Sequence, residues 1–561
     1  MRRLFDAAGT VLSCGLLAAA ASAAAQAPEA PPSKQSSSSS SSLPSPSLSS
    51  SPSTDFIRVS SVEPLPPPVA AALAAVRAPA LSAHVAFLAS PALEGRGLGA
   101  RGLDAAAEYA AAYLALAGIP PLAEGTYFQS VPLREITGGT GALEIESRRG
   151  ETADRRTFVA GTDCLIPQVP ARTFTGSVVF AGYGIRETSP ARDDYRGLDV
   201  KGKIVVVLGG APDGAAWKAP ALVERWAAPK LDERYVAKLE LARSQGAIAV
   251  LAVEGDDWAT KILPKNKPDE KTYWRLEDDG LDDDGVLLAP VSPAVGAALL
   301  GASGPGVPRA LPGVTVTLRT SGKERAFVSR NVVGALAGSD PKLAGEAVVL
   351  GAHLDHLGIV DGAIQPGADD NASGVAALLE IARAFASSRE RPKRTLVFAF
   401  WTGEEEGKFG SAQWVRHPLW PLAKTPAYLN LDMIGHPWTP DEMKKLLADS
   451  GLKDGGAFLD GLKPLDFGEP GVADFAPDLV PILARAARGT GVSLHLDRTP
   501  GIHGGSDYKA FARAKVPFLR FFGNFFKGYH EPGDTPAGVD LKEIEKTARL
   551  ALASAWLLAD R

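Results

Sequence analysis

Cysteine is nearly absent from this 561-residue chain, which has only two, Cys14 and Cys164. Two cysteines cannot build a disulfide scaffold or a Cys-rich zinc module, so any metal must be held by His, Asp and Glu. An excess of basic charge is missing as well. Lys+Arg number 59 against 64 Asp+Glu, a net charge of −5, which leaves no electrostatic footprint for nucleic acid or anionic lipid. Beyond the N-terminus no apolar run reaches about 18 residues, so no stable membrane span is expected. Neither H-E-x-x-H nor G-x-S-x-G occurs, which removes the nucleus of a zincin or a serine hydrolase. What is present is ordinary globular composition, 45% hydrophobic and 22% charged, and this excludes disorder throughout.

The first 25 residues carry Arg2 and Arg3, an Ala/Leu-rich stretch, and small residues at Ala21-Ser22-Ala23 and Ala23-Ala24-Ala25. That pattern predicts a secretory signal peptide and hence an exported, periplasmic or extracellular protein. A transmembrane anchor is a rival reading, and so is a lipoprotein signal ending at Cys14, because Val11-Leu12-Ser13-Cys14 is lipobox-like. Residues 26–54, rich in Ser and Pro, offer almost nothing to bury and read as a disordered linker.

Residues 68–90 and 102–118 read as Ala-rich amphipathic helices. Gly97, Gly99 and Gly102 fit G-x-G-x-x-G, but a helical segment precedes them where a dinucleotide site needs a strand, so they are expected to form a loop. From about Phe174 to Pro312 the chain turns to short β-branched runs with interspersed helices, predicting an α+β unit set into the chain. After it, GEAVVLGAH, RTLVFAFWTG, AYLNLDMIG and KVPFLRFFG alternate with helices. This predicts an α/β fold with a mixed, mostly parallel sheet flanked by helices.

The polar residues fall at the ends of those strands. His353 and Asp355 follow one, Glu404, Glu405 and Glu406 another and Asp432 a third, while Asp369-Asp370-Asn371 opens a helix. Ligands bind outside the carboxyl ends of strands in open α/β sheets. Carboxylates buried together need a cation or a proton, and a pair of divalent metals meets that need. Taken singly, each cluster also has a plain structural explanation: a helix cap, a solvated loop, a surface His–Asp pair.

GAHLDHLG, PGADDNASGVAALLE, FAFWTGEEEGKFGS, LNLDMIG, GGSDYKAF and GYHEPGDT resemble, in order and spacing, the M28 family of zinc metallopeptidases. The stretch LASPALEGRGLGARG is similar to the segment that precedes the core in that family. AGYGI, DDYRGLDVKGKIVVV and SQGAIAVLAV resemble the protease-associated domain found inserted in exported peptidases. Beyond the signal peptide at 1–25 and the linker at 26–54, these resemblances imply a zinc-peptidase-like phosphorylase/hydrolase architecture. Its N-terminal part would occupy 55–165, the inserted domain 166–320 and the metal-binding part 321–561.

Carried over residue by residue, the resemblance implies two Zn2+ ions. One would be completed by His353 and Asp432, the other by Glu405 and His530, with Asp370 bridging. Glu404 would be the general base working on a hydroxide shared by the metals, Asp355 the acid that orients His353, and Tyr529 a donor to the scissile carbonyl. His356 falls outside the family's ligand set and is expected in a supporting or surface role. Tyr508 stands where relatives carry His after Ser-Asp, which concerns the substrate pocket around His503 and Asp507. The implied function is a zinc aminopeptidase acting on peptides with a free N-terminus. A carboxypeptidase or glutaminyl cyclase of the same fold, and a non-catalytic binding protein on a peptidase scaffold, remain as alternatives.

Overall fold

The computed structural model describes residues 55–138, 141–166, 169–229, 234–263, 272–277, 286–301, 306–450, 455–498 and 505–561. The signal peptide, the linker, Cys14 and His503 lie outside the described residues. The strands Ala347–His353, Thr395–Trp401 and Ala427–Leu431 are buried along their whole lengths, the behaviour of continuous apolar runs covered on both faces. They form the middle of an eight-stranded sheet in the order 273–276, 128–137, 323–336, 395–401, 347–353, 427–431, 518–521, 471–472. Pairing is parallel from 395–401 through 518–521 and antiparallel at both margins.

Alternate residues of the central strands meet helices on opposite faces. Phe398 packs against Phe385 of the helix Gly374–Ser387, which in turn stacks on Trp556 of the C-terminal helix Leu541–Asp560. Trp401 points the other way, to Trp414 and Phe511. Leu81, Val85, Leu103 and Leu114 belong to the same core, so the N-terminal helices are part of the body built on this sheet. The expected helix 68–90 is two helices, Pro67–Ala75 and Ala78–Leu88. Pro79 is tolerated in the first turn of the second but would break one continuous helix. Among the described residues no single helix is long and apolar enough to cross a membrane.

The second sheet has seven strands in the order 287–291, 249–253, 204–208, 173–180, 309–319, 142–149, 152–159. The first four are parallel neighbours. This sheet takes in Ala142–Arg149 and Thr152–Val159, upstream of residue 166, because both pair in register alongside Arg309–Arg319. The chain leaves the main sheet after Thr137 and re-enters at Lys323, directly opposite. Entry and exit at one point let an inserted unit fold without disturbing its host. One strand of the inserted stretch, Tyr273–Leu276, returns to the edge of the main sheet, where Trp274 and Phe409 share a small apolar cluster.

Candidate metal centre

Three adjacent parallel strands deliver the polar residues to one rim. His353 ends its strand, Asp432 follows Leu431, and Glu404 and Glu405 open a short helix beyond Trp401. Asp370 comes from the turn Ala368–Ser373. Neither Asp369 nor Asp370 caps the helix that follows, whose N-cap Ser373 makes no side-chain cap bond. The turn depends on Gly367 at φ +62°, where an added Cβ would lie 2.3 Å from the Asp370 carbonyl oxygen. Asp534 grips it from below, accepting the backbone N–H groups of Asp369 at 2.8 Å and Asp370 at 3.0 Å. His530 arrives from the loop after Phe518–Phe521.

The five expected ligands converge. His353 Nε2 lies 3.2 Å from Asp432 Oδ1 and 3.4 Å from Asp370 Oδ1. His530 Nε2 lies 3.1 Å from Asp370 Oδ2 and 3.2 Å from Glu405 Oε2. Asp370 therefore turns one oxygen to each imidazole, as a bridging carboxylate must. Donors bound tetrahedrally at ~2.05 Å stand ~3.3 Å apart, so the spacing and the N/O donor set fit zinc. The ligand atoms of His353, Asp370 and Asp432 all lie within 4.8 Å of one another, as do those of His356, Asp370 and Glu405.

His356 thus competes with His530 for the second position, and the distances separate their roles. His356 Nδ1 is 2.6 Å from Glu405 Oε1 and 3.9 Å from Asp370 Oδ2. That is a hydrogen bond to one carboxylate, whereas His530 spans both at the donor spacing. His356 is 1% exposed, so the surface alternative for it falls and its task is to orient Glu405.

The electrostatics carry one message. Burial alone would push His530 down, yet Glu405 and Asp370 raise it to about 11. His353 is likewise lifted well above the ordinary imidazole value, Asp432 and Asp370 outweighing its burial. Burial works upward on Glu405, but His530 and His356 hold it near 2. Glu404, with burial, Asp432 and Glu405 all against its charge, is raised despite Lys408. A cluster this negative draws protons onto its imidazoles, and the same field attracts dications.

Asp355 is fully buried, and its carboxylate accepts the N–H groups of Glu404 at 3.0 Å and Glu405 at 3.1 Å. Its nearest carboxylate oxygen is 3.9 Å from His353 Nδ1, and the imidazole instead meets the Asp355 backbone carbonyl at 3.1 Å. The side chain thus sets the Glu404–Glu405 turn, and the backbone orients His353. Tyr529 stacks on His530 with ring centroids 3.8 Å apart, beside the exposed Phe525. Tyr508 is a core residue, stacked on Phe518 and 1% exposed, so the departure at that position falls on a buried side chain packed against the sheet. Asp507 beside it is fully buried, and burial lifts it to about 7.

The sequence patterns pass over Arg96. It is 1% exposed, and its guanidinium donates to the backbone carbonyls of Leu354, Leu88, Pro366 and Gly367. It therefore ties the His353 strand end to the Asp370 turn. Gly95 precedes it at φ +70°, where a Cβ would come within 2.5 Å of the Gly358 carbonyl oxygen. The signal was in LASPALEGR, where the glycines drew attention and the arginine did not.

Residues 331–555 match peptidase family M28. The part of the chain that brings the candidate ligands together is thus similar to peptidase family M28. The chain resembles the leupeptin-inactivating enzyme 1 of Streptomyces exfoliatus, 38% identical over 126 residues, 22% of this chain and 27% of that one. It is also similar to a probable lipoprotein aminopeptidase, LpqL, of Mycobacterium tuberculosis, 33% identical over 153 residues and covering 27% of each chain. A probable glutamate carboxypeptidase of Arthroderma benhamiae is 35% identical over 129 residues, 21% of this chain and 16% of that one. The matched stretch therefore spans about a quarter or less of these relatives. Among solved structures, an aminopeptidase from Aneurinibacillus sp. strain AM-1 aligns over 87% of this chain and 95% of its own, with 20% identity and a TM-score of 0.48.

Proposed function

We propose that this protein is an exported two-zinc aminopeptidase that removes N-terminal residues from peptides. The observation that carries the reading is the pair of ligand sets sharing Asp370, with the Glu404 carboxylate beside them and not among the ligands. His353 and Asp432 would hold one ion, Glu405 and His530 the other, and Asp370 both. Bound zinc would polarise the scissile carbonyl and bring a water's pKa toward neutrality. Glu404 takes the proton from that water and passes it to the leaving amine. Tyr529, next to His530, donates to the carbonyl oxygen as it gains charge. Exposed Phe525 beside Tyr529 supports a preference for apolar side chains. The inserted unit is read as a protease-associated domain on the strength of its motifs, and export on the composition of residues 1–25.

Metal analysis with aminoacyl-p-nitroanilide hydrolysis tests this. About two zinc per chain, turnover of Leu- or Ala-p-nitroanilide and loss of activity on N-blocked substrates are expected. Glu404→Gln should keep its zinc and lose about 10²–10⁴-fold in kcat, the share a general base supplies. Metal-free protein with no turnover favours a binding protein on this scaffold. Activity that survives N-blocking but needs a free C-terminus favours the carboxypeptidase reading, for which the similarity to a probable glutamate carboxypeptidase speaks.

A further inference from the structure

Lys408 is at odds with its local surroundings in two ways. It sits at φ +60° between the helices Glu404–Gly407 and Phe409–Arg416, a left-handed conformation unfavourable for a residue with a Cβ. Its side chain is only 22% exposed, whereas lysine normally keeps its ammonium in water. Both features serve one contact. Lys408 Nζ lies 3.1 Å from Glu404 Oε1, an ion pair not aligned as a hydrogen bond, since that oxygen has no directed donor.

Of the other charges around Glu404, His353 attracts it and the neighbouring carboxylates repel it. Asp432 and Glu405 face it from the ligand cluster, and the buried carboxylate of Asp507 also lies within electrostatic reach of Lys408. Lys408 is the permanent cation that meets the Glu404 carboxylate directly, at Oε1, and so offsets those carboxylates where the side chain is held. The attachment is short and stiff. Lys408 N donates to Glu404 O at 3.0 Å and Phe409 N to Gly403 O at 3.0 Å, so the ammonium is carried by the turn whose first residue it holds. Phe409, packed with Trp274 and Leu276, buttresses that turn from behind.

Resting on the assignment of Glu404 as the base, we propose that Lys408 is a positioning residue whose ammonium holds the Glu404 carboxylate at the edge of the ligand cluster, where it can accept and return the proton. The test uses the zinc-loaded full chain with leucyl-p-nitroanilide, reading kcat, KM, zinc content and thermal midpoint. Lys408→Met is expected to lower kcat about 10- to 100-fold, part of what the base supplies, with KM within about twofold and zinc unchanged. Lys408→Arg, which keeps the charge, should restore kcat to within about fivefold of the parent. Placed on Glu404→Gln, Lys408→Met should change the residual rate by less than about twofold, because both residues act on one step. Unchanged kcat in Lys408→Met, a loss expressed in KM, a loss of zinc, or a full effect on top of Glu404→Gln would each overturn the proposal. Full turnover by Glu404→Gln alone would instead bring down the assignment of the base, and this inference with it.

Discussion

The two sheets of this protein each gather buried charge at the carboxyl ends of parallel strands, and they balance it differently. In the inserted sheet the account closes locally. Glu254 pairs with Arg234 at 3.1 Å, Asp194 with Arg192 at 2.8 Å, and Lys238 donates to the carbonyls of Leu208 and Gly210. At the rim of the main sheet, Asp355, Asp369, Asp370, Glu404, Glu405, Asp432, Asp507 and Asp534 are all buried. The permanent cations facing them are Arg96, whose donors are spent on backbone carbonyls, and Lys408. The same kind of location, the carboxyl ends of parallel strands, thus yields a self-neutralised network in one place and an excess of carboxylates in the other. Only the second is left with a charge that a metal would balance, and that difference supports reading it as the reacting site.

The comparison can be broken most forcefully at Asp370. Asp370→Ala removes the oxygens that face both imidazoles, so zinc should leave both positions and kcat should fall about 100-fold or more, beyond the usual cost of an outer-shell partner. Zinc retained at two per chain would show that Asp370 does not bridge. Next in size, Glu254→Gln should destabilise the inserted unit by about 2–4 kcal/mol, toward the low end for a buried pair because Arg234 stays partly exposed. Its kcat should stay within about twofold of the parent, and a large fall would tie the insert to catalysis.

The smallest effect concerns pH. Burial depresses Lys238 from the ordinary lysine value to about 7. Its folded pKa lies below the unfolded one, so its contribution is full above about 10.5 and is lost as pH falls through 7. Between pH 7 and 9, urea unfolding should show the parent gaining on Lys238→Met by up to about 1.4 kcal/mol per pH unit. A flat difference would mean that Lys238 is charged in the folded state across that range.

His353, Asp370, Glu404, Glu405 and Asp432 stood out as candidates in the sequence because each occupies a strand end or a helix-opening turn, whereas His530 lies in a loop and came only from the resemblance of GYHEPGDT to the family pattern. Tyr508 was misleading at that level. A departure from the family pattern suggested a change in the substrate pocket, but the residue is buried against Phe518 of the sheet. His356 was ambiguous for a similar reason: spacing places it two residues beyond Asp355 and says nothing of which carboxylate it meets. Arg96 was invisible because its partners are backbone carbonyls, most of them far away in sequence, whereas the Glu404–Lys408 pair has a legible i,i+4 spacing and was passed over.

By itself, then, the sequence determined the alternation of buried strands and helices, the inserted unit and the identity of the donor atoms, since those follow from local pattern and residue chemistry. Tertiary structure alone decided which imidazole faces which oxygen, that Asp370 lies between the two, and which cations remain to offset the carboxylates. Those are differences of an ångström or two between residues scattered from Arg96 to Asp534, and only packing of the whole sheet sets them.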